Sequence, residues 1–239
     1  MISIIIPALN EEKYLPLLLE SIKKQDFSDY EIIVADAGST DKTLEIAKNY
    51  GCKIVGGGLP AKGRNEGAKV ASGEILFFCD SDVILTDNFF EKGLEEFKKR
   101  NLDLASVRLI PVPKNKVSFF LVNIFYNWLI ILTENILPHA AVGIFVKKEI
   151  FDKTGGFDET VKLSEDHYFA RQAKKLLKAN FGILRSVEIF VSDRRFKTDG
   201  WMSVGTRYFL CELYSIFIGP VKTDIFKYKF NHYKDNKKL

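Results

Sequence analysis

Short apolar runs alternate with amphipathic stretches through the first hundred residues of the chain, and this rhythm constrains the fold more than any other feature. It is the pattern of a mostly parallel sheet with helices packed on it. The runs are Ile2 to Ile6, Glu31 to Ala35, Lys53 to Val55, Ile75 to Cys79 and Leu104 to Ile110. Between them Tyr14, Leu15, Leu18, Leu19 and Ile22 recur at helical spacing, as do Leu44 with Ala47, and Phe90, Leu94 and Phe97. The first and fourth runs are nearly continuous in apolar residues, as parallel strands buried on both faces require. With 239 residues, 46% of them apolar, the chain can bury a real core and reads as one domain with appendages.

Charge is nearly balanced, at +4 overall, so nothing marks a nucleic-acid partner. The excess is local, in Lys222, Lys227, Lys229, Lys234, Lys237 and Lys238 near the end of the chain. Cys52, Cys79 and Cys211 are too scattered for a disulfide framework or a metal-type pair, which fits a reducing cytoplasm. Met1 to Pro7 lacks the basic start and cleavage site of a signal peptide and reads as a first strand.

The second half is less regular. Val117 to Thr133 carries no charge and just reaches the shortest length of a membrane-spanning helix, about 17 residues. A short strand follows from Val142 to Val146, then a turn at Gly155-Gly156, a helix with Ser164 as its N-cap, and two strand-like runs, Phe181 to Leu184 and Val187 to Val191. A last amphipathic segment covers Trp201 to Ile218.

In open sheets of this kind ligands bind beyond the carboxyl ends of the strands. There the chain places Pro7-Ala8-Leu9-Asn10-Glu11-Glu12, then Asp36-Ala37-Gly38-Ser39-Thr40-Asp41, then Asp80-Ser81-Asp82. Asn10 and Asp41 are equally readable as helix caps. Asp36 ends a buried strand and precedes a glycine turn instead. Asp80 and Asp82, one residue apart in extended backbone, would share a side and repel each other unless a cation lay between them. Their oxygens suit Mg2+ or Mn2+. Gly63, Gly67, Ala68 and Ala71 would let a helix lie close on the sheet, with Lys62 and Arg64 at its start as an anion site.

Taken together, four blocks resemble, in order and spacing, the family 2 glycosyltransferases, inverting enzymes of the GT-A fold. They are Pro7 to Glu12; Asp36 with Gly38 to Asp41; Arg64-Asn65-Glu66-Gly67 leading through Ser72-Gly73-Glu74 to Asp80-Ser81-Asp82; and Gly155-Gly156-Phe157-Asp158-Glu159 followed by Glu165-Asp166. The resemblance implies an α/β fold with a mixed, mostly parallel sheet and helices on both faces over residues 1–195. A donor-binding half, 1–110, would precede an acceptor half, 111–195, and residues 196–239 would add an amphipathic helix and basic tail. It implies that Pro7, Ala8, Leu9 and Glu11 line a nucleoside pocket, that Asp36 bonds the base or ribose, that Lys62 and Arg64 lie near the nucleotide, and that Asp80 and Ser81 follow the ribose and diphosphate. Asp82, with Asp80, would hold the metal. At Ala37 many members carry a second aspartate, and at Ile84 some carry a further metal ligand; both contacts are lost here.

The reaction implied is transfer of one sugar, with inversion, from a nucleoside-diphosphate donor linked to UDP or GDP. Displacement from the opposite face needs no protein nucleophile, only a base near the acceptor hydroxyl. Asp166 is the candidate and Glu165 the alternative, weighed against a plain acidic helix start. Asp158 and Gly156 would shape the acceptor side. Asp193-Arg194-Arg195-Phe196 offers Arg194 and Arg195 to clamp the diphosphate; Arg108 and His139 rank lower, a lone histidine after Pro138 being an ordinary turn residue. A span through Val117 to Thr133 would put Asp82 and Asp166 on opposite sides of a bilayer, so an in-plane helix at the cytoplasmic membrane face stands beside a core helix or a homodimer contact. In-plane contact would make a polyprenyl or other lipid-linked saccharide a sensible acceptor. Two rival functions are a sugar nucleotidyltransferase, whose glycine- and arginine-rich first loop Ala8-Leu9-Asn10-Glu11 does not resemble, and a non-catalytic nucleotide-sugar binding module.

Overall fold

Ile4, Ile5 and Ile6 are fully buried because the strand that carries them has a strand on each edge and helices on each face. A computed structural model describes residues 1–112, 126–192 and 200–226. Its strands are β1 (Ile2–Ala8), β2 (Tyr30–Asp36), β3 (Lys53–Gly56), β4 (Ile75–Cys79), β5 (Val83–Leu85), β6 (Leu104–Val112), β7 (Gly143–Lys147) and β8 (Phe181–Ser192). Its helices are α1 (Leu15–Lys23), α2 (Thr43–Asn49), α3 (Pro60–Lys69), α4 (Phe89–Lys99), α5 (Trp128–Thr133), α6 (Lys148–Thr154), α7 (Glu165–Leu177) and α8 (Trp201–Phe217). The eight strands form one sheet in the order β3-β2-β1-β4-β7-β6-β8-β5. β1 is parallel to β2 and β4, β2 to β3, and β6 to β8; β7 runs antiparallel to β4 and β6, and β5 to β8. The expected mixed, mostly parallel sheet is what forms.

Alternation along β1 divides the core. Ile2, Ile4 and Ile6 join Leu15, Leu18 and Leu19 of α1 and Phe89 and Phe90 of α4 on one face, while Ile5 joins Ala61 and Ala68 of α3 on the other. That second face continues through Phe78, Phe151, Phe157 and Phe169, whose rings pack with centroids 4.7 to 5.7 Å apart. α3 carries little apolar bulk and docks by closeness instead. A Cβ on Gly63 would lie 3.2 Å from the Pro7 Cβ, and one on Gly67 would collide with the Ile5 Cγ2, so glycine at 67 is a steric requirement.

Three local readings need correction. The two runs at 181–184 and 187–191 are one strand: a register shift between Val107 and Arg108 of β6 takes up the exposed Arg185 and Ser186. Ser164 does sit at the N-cap of α7, but with φ of 60° and no side-chain bond to the helix; its hydroxyl lies 3.5 Å from the Cys211 sulfur instead. Asp80, Ser81 and Asp82 lie on a turn between β4 and β5 rather than in extended backbone.

Of the uncharged stretch 117–133, residues 117–125 lie outside the described residues. The remainder holds α5, where Ile130 is buried while Trp128, Leu129 and Leu132 are exposed. Asn127 secures its start by accepting from the Leu109 N–H at 3.0 Å and donating to the Leu109 carbonyl at 2.8 Å. No helix among the described residues is long and apolar enough to cross a membrane. α8 is fastened at Leu163, Cys211 and Val221, with a bridge between Leu163 and Val221.

Candidate active site

The acidic clusters after β1, β2 and β4 meet on one rim of the sheet, and the loops that carry the first two are laced together. Asn10 accepts from the Thr40 N–H at 2.8 Å, Thr43 accepts from the Glu11 N–H at 2.7 Å, and Asp41 accepts from the Glu12 N–H at 3.1 Å. Asn10 therefore joins two loops rather than capping α1, whereas Asp41 stands one residue before Lys42, the N-cap of α2, and accepts from the Thr43 N–H at 2.9 Å. Burial pushes the Asp41 carboxyl up, but its bonds from Thr43 and the Glu12 N–H outweigh that and hold it below the usual range.

Asp36 ends β2 with one oxygen accepting from the N–H groups of Gly38 and Ser39, each at 2.9 Å. Its other oxygen is buried with no hydrogen-bond partner among the described residues. A buried acceptor left empty is costly unless a ligand supplies the donor, as a ribose hydroxyl or a base N–H would. Pro7, Ala8 and Leu9 lie in the adjoining β1 exit, with Glu11 and Ser81 buried beside the same rim.

Arg64 is the hub. Its α3 position is buried by the glycine-mediated approach of the helix, and its guanidinium donates to Asp80 at 2.9 Å and to Glu165 at the start of α7. Burial works against the charge, but Glu165, Asp80 and Asp166 outweigh it and keep Arg64 protonated. Its ring partner is Phe157, 5.4 Å from the guanidinium carbon. Lys62, two residues earlier, is exposed. The turn after β4 and the first turn of α7 are thus held together by one cation.

Asp166 follows Glu165 and is 17% exposed. Burial raises both carboxyls above their ordinary range, with Arg64 opposing in each case. One Asp166 oxygen accepts from the His167 N–H at 2.8 Å. The Gly155-Gly156 turn, with φ of 88° and 75°, delivers Phe157 to the Asn65 side chain, which accepts from its N–H and donates to its carbonyl, both at 2.9 Å. A Cβ on Gly156 would come within 2.8 Å of Asn65 Oδ1. Asp158 caps Thr160 and meets Lys222 at 3.3 Å. Arg194 and Arg195 lie outside the described residues, as do Lys227, Lys229, Lys234, Lys237 and Lys238.

Asp80 and Asp82 offer only carboxylate oxygens. Asp80 is 43% exposed and Asp82 half-buried. This donor set on an open turn fits a hard divalent ion that keeps positions for phosphate oxygens. A hollow of about 690 Å³ opens elsewhere, at Ser72, Gly73 and Lys148, and it contains none of these residues.

Behind Asp166 lies a group the sequence did not announce. His139, read as a turn residue, packs at a tilt against His167 with ring centroids 3.7 Å apart, and both face Glu212 of α8. Burial, then His167, pushes the His139 ring down to about 4. The signal in the sequence was faint, since these three residues are separated by 28 and 45 positions.

A family model described as glycosyl transferase family 2 matches residues 3–158. Over 117 residues the chain is 33% identical to the poly(ribitol-phosphate) beta-N-acetylglucosaminyltransferase TarS of Staphylococcus aureus, a match that covers 45% of this chain and 20% of that protein. The chain thus spans about a fifth of that relative's length. The crystal structure of S. aureus TarS 1–349 in complex with UDP-GlcNAc superposes with a TM-score of 0.64 at 26% identity, covering 80% of this chain and 58% of that one. The mannosyltransferase PcManGT of Pyrobaculum calidifontis, in complex with GDP-Man and Mn2+, gives a TM-score of 0.70 at 18% identity, covering 87% and 61%. At that identity the likeness speaks for the fold alone, and the fold is the expected GT-A architecture.

Proposed function

Because the chain belongs to glycosyl transferase family 2, whose model spans residues 3–158, we propose that it moves one sugar, with inversion, from a nucleoside-diphosphate donor to an acceptor hydroxyl. The observation that carries this reading is the Arg64 bridge, which brings the donor-side Asp80 and the base-side Glu165-Asp166 pair to one point.

In this reading Pro7, Ala8, Leu9 and Glu11 line the nucleoside pocket, and the unpartnered Asp36 oxygen accepts from the base or ribose. Asp80 and Ser81 follow the ribose and diphosphate. Asp82 and Asp80 would hold Mg2+ or Mn2+, which would supply positive charge to offset the negative charge gathering on the departing diphosphate. Asp166 accepts the acceptor hydroxyl's proton as that oxygen bonds to the anomeric carbon and the bond from that carbon to the diphosphate oxygen breaks. The nucleoside diphosphate leaves with the bonding electrons, and the product carries the opposite anomeric configuration. Two facts favour Asp166 over its neighbour: Glu165 is tied to Arg64, and Asp166 is the more exposed of the two, at 17% against 10%. Arg64 acts through Asp80 and Glu165, holding both in place.

The UDP-GlcNAc seen in TarS makes UDP-sugars the first donors to test. The acceptor is a saccharide hydroxyl, free or lipid-linked. Trp128, Leu129, Leu132 and Ile136, with Phe209, Leu213, Phe217 and Ile218 at the end of α8, are exposed apolar groups, and exposed Lys222 with the lysines of 227–239 supplies positive charge nearby in sequence. This combination suits an anionic bilayer surface at the cytoplasmic face. Residues 1–195 form the transferase domain, and α8 with the tail the appendage.

The test is turnover by Asp166→Asn at saturating donor, metal and acceptor. The amide keeps the shape but cannot take the proton, so kcat falls by about 10²- to 10⁴-fold while donor affinity holds. Turnover within about threefold of wild type would remove Asp166 from the role and make Glu165→Gln the next variant.

A further inference from the structure

His139, His167 and Glu212 are used by no step above, yet they converge. His167 Nδ1 lies 3.3 Å from Glu212 Oε2, and His139 Nδ1 lies 3.7 Å from Glu212 Oε1. One ligand atom from each residue falls within 4.8 Å of the other two. The imidazoles meet at an interplanar angle of 42°, so their in-plane lone pairs can converge, which parallel stacking would forbid. None of the three side chains is more than 20% exposed. They come from separate parts of the fold: His139 from the segment before β7, His167 from the first turn of α7, Glu212 from α8.

A metal-bound histidine commonly donates its other ring N–H to a carboxylate; the carboxylate nearest the His167 Nε2 is Asp166, at 3.9 Å, beyond hydrogen-bond distance. Arg171 donates to Glu212 and fixes that carboxylate, and the Tyr126 ring packs edge-on against His139 at 5.5 Å. Two imidazoles and one carboxylate are the donor set of Zn2+ and its transition-series neighbours, not of Mg2+.

We propose that His139, His167 and Glu212 form a three-ligand site for a Zn2+-class divalent ion, separate from the Asp80–Asp82 pair. Such an ion pins α8 to α7 directly behind Asp166 and leaves a fourth position open. The site does not rest on the transferase reading.

The experiment is calorimetric titration of the metal-stripped full chain with ZnCl2 in the absence of nucleotide, alongside a Co2+ titration read by visible absorption. Wild type and Asp82→Ala both take up a single equivalent of Zn2+, excess Mg2+ does not displace it, and Co2+ gives the intense bands of a low-coordinate nitrogen-ligated ion. His139→Ala and His167→Ala each weaken Zn2+ binding by more than about 100-fold, beyond the 10- to 100-fold cost of losing an outer partner. Circular dichroism melts establish that the variants fold. Should either unfold, the wild-type stoichiometry and Co2+ spectrum decide alone. The proposal is overturned by a wild type that binds no Zn2+ tightly, by folded histidine variants that keep it, or by loss in Asp82→Ala, which would place the ion on the carboxylate pair.

Discussion

Replacing Arg64 with methionine keeps most of the side chain's length and removes its charge from between two carboxylates. Glu165 is then left buried without its cation, 10% exposed, while Asp80 at 43% has water to fall back on and adds little. Breaking a buried pair from one side costs about 3–5 kcal/mol, and at roughly 2–4 °C per kcal/mol for a chain of this size the Tm falls by about 6–20 °C. The loss depends on pH. Without Arg64, burial and Asp166 keep the folded-state pKa of Glu165 above its unfolded value near 4.5. A group raised in the folded state contributes its stability below the unfolded pKa and loses it as pH rises through the folded one. Arg64→Met is therefore closest to wild type below pH 4.5, and the gap widens toward neutrality. Adding Glu165→Gln removes the stranded charge and recovers part of the loss at neutral pH. Urea unfolding at several pH values, with m-values compared, measures all of this. A loss under about 1 kcal/mol at neutral pH, or a gap that ignores pH, would refute the argument that Arg64 is the electrostatic hub.

Gly67→Ala gains up to about 1 kcal/mol of helix propensity but forces its Cβ into the Ile5 Cγ2, so a net loss of about 1–3 kcal/mol is expected, and Ile5→Val, which removes only Cδ1 and keeps Cγ2, does not relieve it; chemical denaturation of single and double variants measures it. Asp82→Ala abolishes metal-dependent donor binding, since Asp80 is already engaged by Arg64; calorimetry with nucleotide and Mn2+ checks this, and unchanged metal dependence removes Asp82 from the site. The full chain floats with anionic liposomes and not with neutral ones, and the double change Phe209→Ser with Phe217→Ser weakens flotation; a concentration-dependent dimer in its place would assign the apolar patch to a second copy.

Periodicity and strand-end chemistry are local properties, and they carried most of the reading. The Ile-rich first run is β1, the acidic residues after three strands do meet on one rim, and Gly63 and Gly67 do bring α3 onto the sheet. The family and its GT-A architecture were legible because four short blocks stand in the family's order and spacing along the chain. The merging of two apolar runs into β8 was not legible, because a bulge is set by the partner strand's register and not by the strand's own residues.

The functional arrangement shows the same division. The sequence by itself determined which chemistries are present: a strand-end aspartate, a pair of carboxylates on a turn, an acidic helix start. Only the tertiary structure decided their couplings. Arg64 and Glu165 are 101 residues apart, and His167 and Glu212 are 45 apart, so no spacing rule links them. Whether Arg64 faces water or two carboxylates depends on how deeply α3 sinks onto β1. Whether His139 is a turn residue or one wall of a cluster depends on where α7 and α8 cross it. Those distances are fixed by packing across the whole sheet, which is a property of the folded chain.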